Sequence, residues 1–455
     1  MARSNLEIVP RETIAAIATA SGRGGIGVVR VSGTGLALLA KALLRKTVSP
    51  RVATLGTFHD EDGSAIDQGI TLFFPQPHSY TGEDVLELQG HGGPAVLQRL
   101  LQRCLSLGGR LAKPGEFTER AFLNHKLDLA QAESVADLIE ASSIEAAKSA
   151  VKSLTGEFSR RVHALVEGLT ELRMHVEACI DFPEDEIDPA DRALQQSKLQ
   201  HLRALQASLA QEAKQGAVLR DGLTVALIGR PNVGKSSLLN KLVGEEVAIV
   251  TPVAGTTRDY VRATILIQGV PIHLIDTAGL RDTDDAVEKI GIARTWQAIE
   301  KAGAALLIAE AGEMIGQNEA EILAKLPHTL PVAWIYNKID AHGQQAGRIK
   351  NEENRHSTIK LSALTGEGID LVRDWLLETA GWQPSGEGVF MARERHLIAL
   401  KLAEDHLHAA HERAEQFELF AEELRLAQQA LSSITGEFTP DDLLGEIFGK
   451  FCIGK

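Results

Sequence analysis

Residues 229 to 236 read Gly229-Arg230-Pro231-Asn232-Val233-Gly234-Lys235-Ser236, a complete Gly-x-x-x-x-Gly-Lys-Ser phosphate-binding loop. It follows the apolar run Val225-Ala226-Leu227-Ile228 and leads into Ser237-Leu238-Leu239-Asn240-Lys241-Leu242, which has helical character. Strand, glycine loop and helix form the context this motif requires, and a chance glycine turn would lack it. Glycines let backbone N–H groups curl around a phosphate, and the helix N-terminus adds partial positive charge. The candidate nucleotide contacts here are Asn232, Val233, Gly234, Lys235, Ser236 and Ser237. Lys235 is expected to reach the β- and γ-phosphates, and the Ser236 hydroxyl to hold Mg²⁺.

Downstream, Asn337-Lys338-Ile339-Asp340 follows the apolar run Val332-Ala333-Trp334-Ile335-Tyr336. The Asp340 carboxylate can accept hydrogen bonds from the N1–H and 2-amino group of guanine, a pair that adenine does not offer. Asn337 can tie this loop to the phosphate loop, and the Lys338 stem can lie over the base. Alone, the tetrapeptide reads equally well as a turn after a strand; its place after a phosphate loop favours guanine. Ser362-Ala363-Leu364, after Ile359-Lys360-Leu361, fits the loop that closes over the base. Asp276-Thr277-Ala278-Gly279 ends the run Ile272-His273-Leu274-Ile275. Asp276 is then the outer carboxylate of the Mg²⁺ site, and the Gly279 N–H can sense a γ-phosphate. Between these motifs lies Gly255-Thr256-Thr257-Arg258-Asp259, with Thr257 as the candidate second Mg²⁺ ligand. The four motifs together predict a GTP-binding domain over residues 216–380. Many GTPases place a water-orienting glutamine directly after Asp-x-x-Gly. Here that position is Leu280, so another group must do the work. Spacing alone does not choose among Arg281, Asp282, Asp284, Asp285, Glu288 and Lys289.

At 455 residues the chain exceeds one ordinary core, so two or three domains are expected. No run of 18 apolar residues suggests a membrane helix, and no secretory leader is evident. Cys104, Cys179 and Cys452 are too far apart for a disulfide framework or zinc knuckle and suit a reducing, cytoplasmic setting. A net charge of −14 offers no global attraction to nucleic acid, so RNA binding would need a local basic patch.

Residues 1–120 mix glycine turns with short apolar runs. Gly24 to Val31 reads as a turn into a strand; Ile70–Phe74 and Val85–Leu88 are further strands, and 96–107 is helical. This texture predicts an α+β domain. From 121 to 215 the pattern is helical, with Leu165, Leu169, Leu172 and Val176 on one face. The acidic run Asp181 to Asp188 reads as a solvated loop or helix start. Helical character returns over 391–435, where Leu424, Ala427, Leu431 and Ile434 form a second stripe. The expected organisation is multidomain, α/β and all-α: an N-terminal α+β domain (1–120), a helical domain (121–215 plus 381–455), and an inserted Ras-like P-loop domain (216–380). His91, in Gly90-His91-Gly92-Gly93, has no second ligand at metal spacing, so a structural role is expected.

Several segments outside the GTP-binding motifs resemble one family. They are Gly22-Arg23-Gly24-Gly25-Ile26-Gly27, Tyr80 to Leu88, Pro114 to Asn124, Gly436-Glu437-Phe438 and the terminus Phe451-Cys452-Ile453-Gly454-Lys455. Essentially end to end, the chain resembles the bacterial tRNA-modification GTPase family MnmE (TrmE), within the TrmE-Era-EngA-YihA-Septin-like superfamily. The resemblance implies a tetrahydrofolate-binding N-terminal domain that forms a homodimer. It implies action with the flavoprotein MnmG (GidA), in a heterotetramer, on tRNA. The two would add an aminomethyl or carboxymethylaminomethyl group at C5 of the wobble uridine. The carbon would come from 5-formyl- or 5,10-methylene-tetrahydrofolate.

The folate contacts implied by the resemblance fall on Arg30, Glu87, Lys126 and Lys455. Glutamate suits a pterin's amide and amino N–H groups, and the cations suit its anionic and carbonyl groups. Potassium is implied near the phosphates, held by Asn232 and by the loop carrying Thr251, Val253 and Thr256; Thr251 and Thr256 also count among the GTP contacts, with Thr277 and Ala278. The water-orienting glutamate falls on Glu288. Cys452 could lie near the folate, although packing explains it equally well. The competing readings are a regulatory GTP switch in ribosome assembly and a stand-alone folate enzyme.

Overall fold

The computed structural model describes residues 12–181, 189–230, 232–243, 263–276, 302–313, 326–327, 329–351, 356–383, 389–437 and 441–454. The chain divides into two compact units, Met1–Ala136 with Leu431–Lys455, and Asp137–Ala430.

The first unit holds a six-stranded sheet of order β3-β4-β5-β2-β1-β6. Its strands are β1 (Ile14–Ile17), β2 (Gly24–Gly33), β3 (Thr54–His59), β4 (Ala65–Phe74), β5 (Asp84–Gly92) and β6 (Arg110–Leu111). All neighbours are antiparallel except the short β1–β6 pair. Alternation along β2 decides what each face does. Val29 and Val31 point into a core with Phe58, Phe73, Leu86 and Leu88, sealed by α1 (Leu36–Leu44) and α2 (Pro94–Ser106). Arg30 and Ser32 point to the other face, where Ile14, Ala16, Phe117 and Tyr80 cluster. Phe117 lies on α3 (Glu116–Leu123). The expected turn at Gly24 is already strand, with a register irregularity between Gly24 and Gly27. Glycine has the backbone freedom to enter the sheet through such a bulge.

The chain's last residues return to this unit. Phe448 and Phe451 pack with Leu129 and Ala132. Gly115, at φ 68°, lies so close to the Phe448 carbonyl that a Cβ would sit 2.5 Å from its oxygen. At φ 100°, Gly454 approaches the Ile17 carbonyl, at 2.4 Å by the same measure. Any side chain at either position would push the tail off.

In the second unit a seven-stranded sheet runs β12-β13-β11-β10-β7-β9-β8. The strands are β7 (Leu223–Ile228), β8 (Ala263–Ile267), β9 (Val270–Asp276), β10 (Ala304–Glu310), β11 (Val332–Asn337), β12 (Gly347–Asn351) and β13 (His356–Lys360). The central five are parallel; β8 and β12 run antiparallel at the edges. Val225 and Leu227 face one apolar cluster, Ala226 and Ile228 another. Burial on both faces is why this strand reads as an unbroken apolar run. The chain leaves β7 to form β9 on one side and then β10 on the other. Strand order therefore reverses at β7, and in open α/β sheets ligands bind outside the carboxyl ends at such a reversal.

α4 (Leu129–Glu140) begins in the first unit, and the long helices α5 (Ile144–Leu154), α6 (Glu157–Asp181) and α7 (Pro189–Asp221) belong to the second. After β7 come α8 (Lys235–Val243), α9 (Ile339–His342), α10 (Ile369–Ala380), α11 (Glu394–Glu412), α12 (Phe417–Thr435) and α13 (Asp441–Gly449). Leu165, Leu169, Leu172 and Val176 are all buried, as are Leu424, Ala427, Leu431 and Ile434. The helical stretch expected over 391–435 is two helices, parted by a turn at 413–416 in which the Gln416 N–H bonds the Arg413 carbonyl. Residues 182–188, most of the acidic run, lie outside the described residues.

Side chains far apart in sequence tie α5 and α7 into the second unit. Asp137, almost fully buried, receives Arg220 at 3.0 Å and Arg393 at 2.8 Å. The Ser143 hydroxyl accepts from Ala146 N, capping α5, and donates to Gly269 O in the β8–β9 turn at 2.8 Å. Gln215 donates to Gly381 O and accepts from Gln383 N.

Candidate nucleotide-binding site

The phosphate loop leaves the carboxyl end of β7, and α8 begins at Lys235. Asn232 has φ 65° and Gly234 φ 98°, the left-handed conformations that curl the loop. A Cβ on Gly234 would fall 2.1 Å from the Asn337 side-chain nitrogen. Glycine is therefore required by a neighbour across the sheet as well as by the phosphate. Val233 turns inward, while Ser236 and Ser237 are exposed on the first turn of α8. An exposed hydroxyl at that turn suits a Mg²⁺ ligand. The Lys235 ammonium bonds the carbonyls of Gly229 and Arg230, at the mouth of the loop.

Asn337 joins three loops. It ends β11 and is 2% exposed. Its Nδ2 donates to Val233 O at 2.9 Å, and its Oδ1 accepts from Ala363 N at 2.8 Å. One amide thus fixes the phosphate loop to the loop after β13. Lys338 sits at φ 66°, and its Nζ pairs with Glu310 at the end of β10, 2.5 Å away. Glu310 is held below the usual carboxylate range, first by that bond and then by His342. Sequence spacing did not find Glu310; its only signal is its place at a strand end. Asp340 is exposed on α9. Ser362 is fully buried, its carbonyl accepting from Gly366 N and its hydroxyl from Thr365 N. Leu364 projects into solvent. Asp276 closes β9, its backbone in register with Leu227. Thr251, Val253, Thr256, Thr257, Thr277, Ala278, Gly279 and Glu288 lie outside the described residues.

The first unit carries a second polar site. Arg30 and Glu87 are direct cross-strand partners on β2 and β5, and the guanidinium bonds Glu87 Oε1 through NH2 at 2.8 Å and Nε at 3.1 Å. The same guanidinium lies 5.6 Å from the Tyr80 ring centroid and 5.9 Å from that of Phe117. Burial raises the Tyr80 phenol's pKa. A half-buried ion pair beside two aromatic faces suits a flat heteroaromatic ligand with amide edges. Lys126 donates to Pro77 O at 3.1 Å, and its stem lies by Gly82, two residues from Tyr80. Lys455 lies outside the described residues; Gly454 is next to Ile17, whose neighbour Ala16 is the cross-strand partner of Arg30.

Beneath this site lies a buried charge network: Arg120 bonds Glu83 at 2.8 Å and Glu116 at 2.9 Å, and Arg110 also bonds Glu116. Burial raises the Glu116 pKa, but the bonds from Arg110, Lys113 N and Arg120 outweigh it and leave the carboxyl at about 2. His91 pairs with Asp67 at 2.8 Å and is otherwise exposed. Among the described residues no group of three His, Cys, Asp or Glu could hold a metal ion, and no helix is long and apolar enough to cross a membrane. Burial raises the Cys104 pKa to about 12, whereas Cys452 is exposed.

A phosphate loop at the reversal of a parallel sheet, tied by asparagine to an Asn-Lys-x-Asp loop, defines a P-loop protein of the guanine-nucleotide class. Comparison with known proteins narrows the class. The family described as "MnmE helical domain" matches residues 129–452, and "GTP-binding protein TrmE N-terminus" matches residues 13–126. A tRNA modification GTPase MnmE from Chromobacterium violaceum is 58% identical over 99% of this chain and 100% of its own length. Its namesake from Thiobacillus denitrificans is 59% identical over 98% of each chain. A third, from Nitrosomonas europaea, is 58% identical over 98% of this chain and 99% of its own. The chain belongs to the MnmE family of tRNA modification GTPases.

Proposed function

We propose that this protein is a potassium-activated GTPase that works with the flavoprotein MnmG to modify C5 of the wobble uridine of certain tRNAs. A tetrahydrofolate, 5-formyl or 5,10-methylene, supplies the one-carbon unit. The reading rests on one observation: a single chain carries both the Asn337-braced guanine-type loop and the Arg30–Glu87 pair beside Tyr80 and Phe117. A GTP switch alone has no use for the second site. The division is into three domains, 1–120, 121–215 with 381–455, and 216–380; the junction of the two family matches at 126–129 supports a boundary near residue 120.

In this reading Asp340 selects guanine, and Lys235 turns from the loop carbonyls to the β- and γ-phosphates. Ser236 and Thr257 would hold Mg²⁺, with Asp276 behind them. Asn232, Thr251, Val253 and Thr256 would hold K⁺, and the two cations would supply positive charge beside the phosphates. Glu288 orients the attacking water in place of the glutamine that Leu280 replaces. In the first unit Glu87 grips the pterin edge, while Arg30, Lys126 and Lys455 hold its carbonyl and anionic groups. The protein acts in the cytoplasm as a homodimer, joined by MnmG in a heterotetramer. GTP turnover measured in potassium and in sodium tests the reading, with fast hydrolysis expected only in potassium. Equal rates would refute the cation site. Glu288→Ala should abolish hydrolysis while GTP binding persists; a parallel loss of binding would make Glu288 structural.

A further inference from the structure

The chain is acidic overall, with 61 Asp and Glu against 47 Lys and Arg. The imbalance is not spread evenly. Residues 13 to 59 contain no Asp or Glu at all, the longest such stretch in the chain, and carry Arg23, Arg30, Lys41, Arg45, Lys46 and Arg51. Four of these fall within eleven residues, Lys41 to Arg51, where α1 ends and the chain crosses to β3. All four are exposed.

None of the four forms an ion pair with a described carboxylate. Lys46 Nζ donates to the neutral Leu55 carbonyl. Arg51 donates to the His78 carbonyl, and its guanidinium stands 5.6 Å from the Phe74 ring centroid. These contacts orient the cations without cancelling their charge. Arg45 and Arg51 have φ 55° and 60°, a backbone state that costs a non-glycine residue energy and so needs support from its surroundings. Four other arginines of the unit are matched: Arg99 with Asp60, Arg103 with Glu61, Arg110 with Glu116, and Arg120 with Glu83. The nearest acidic segment is the turn Asp60-Glu61-Asp62, which borders Arg45 through Gly63. Its Asp60 and Glu61 carboxylates are drawn towards Arg99 and Arg103 on α2.

We infer that the surface formed by Lys41, Arg45, Lys46 and Arg51 is where this acidic chain meets the phosphate backbone of tRNA. The inference rests on the tRNA-modifying function proposed above and adds a location to it. Cations without a protein counter-charge release counterions when they meet phosphates, and this makes the binding steeply salt-dependent. Contacts of this kind position an RNA without reading its sequence.

The test uses the full chain and a fluorescently labelled tRNA transcript, with affinity measured from about 50 to about 200 mM salt. The variant combines Lys41→Gln, Arg45→Gln, Lys46→Gln and Arg51→Gln. A control combines Lys148→Gln and Lys214→Gln, two exposed cations on α5 and α7. Each phosphate contact contributes about one unit to the slope of log affinity against log salt. The fourfold variant should bind at least tenfold more weakly, with a slope shallower by about two to four units, while the control and the GTP turnover rate stay at wild-type values. Thermal melting checks that the variant is folded. A wild-type slope in the variant would overturn the inference and leave the tRNA function standing. No tRNA binding by the wild-type chain would overturn both. Loss of binding to anionic vesicles, or a changed oligomeric state, with tRNA affinity intact would assign the surface to a membrane or a second copy instead.

Discussion

Asn337→Ala tests how the nucleotide site is held together. The wild-type amide makes two buried hydrogen bonds, to Val233 O and from Ala363 N. Removing it costs about 1 kcal/mol for each bond lost. Where nothing replaces the bond, the buried carbonyl and N–H left behind raise that cost to about 1–3 kcal/mol each. The bonds join two loops that both contact the nucleotide in the proposed function, so the loss falls on the binding-ready arrangement. An affinity loss of about 2–5 kcal/mol corresponds to about 30-fold or more in Kd for GTP. Titration of the full chain with a fluorescent GTP analogue measures it, alongside a thermal melt. Asn337→Asp sharpens the test. It keeps an acceptor for Ala363 N but sets a carboxylate oxygen against Val233 O, so it should be no better than alanine. A Kd within about threefold of wild type for both variants would refute the bracing role.

Further outcomes are expected from the same geometry. Asp340→Asn should weaken GTP by about a hundredfold and improve xanthosine triphosphate, whose C2 carbonyl accepts from an amide; competition binding reads the exchange, and unchanged preference would remove Asp340 from base recognition. Glu87→Gln should weaken 5-formyltetrahydrofolate binding at least tenfold while shifting stability by no more than about 1 kcal/mol, since the Arg30–Glu87 pair is half-buried. A large stability loss with intact binding would make the pair structural. Glu116 is depressed from 4.5 to about 2, so its contribution to stability is complete above pH 4.5 and is lost as pH falls towards 2. Thermal melts should lose less over that window in Glu116→Gln than in wild type, and identical pH slopes would contradict the assignment.

Local signals carried much of this reading. The runs before three nucleotide motifs became β7, β9 and β11 because strands covered on both faces carry largely apolar sequence, whereas β13 (His356–Lys360) alternates, with Ser357 and Ile359 buried. Stripes such as Leu165 to Val176 became buried helix faces for the same reason at a different period. What escaped is set by strand register and chain return rather than spacing. Glu310 meets Lys338 from the next strand, 28 residues upstream, and Asp67 meets His91 from 24 residues upstream. Asp137 joins Arg220 and Arg393, 83 and 256 residues away. Tyr80 and Phe117 flank Arg30 only because α3 packs on the sheet face opposite α1 and α2. The family resemblance reached Arg30, Glu87 and Lys126, which charge and periodicity alone leave as ordinary strand and loop residues.

The central claim is that GTP hydrolysis by this chain serves wobble-uridine modification. Mass spectrometry of tRNA nucleosides from cells lacking the gene tests it most directly. The account predicts loss of the aminomethyl and carboxymethylaminomethyl groups at C5 of the wobble uridine. Wild-type protein should restore them, and neither Glu288→Ala nor Glu87→Gln should do so fully. Wobble nucleosides identical to those of the parent strain would contradict the account and favour a GTP switch with another task.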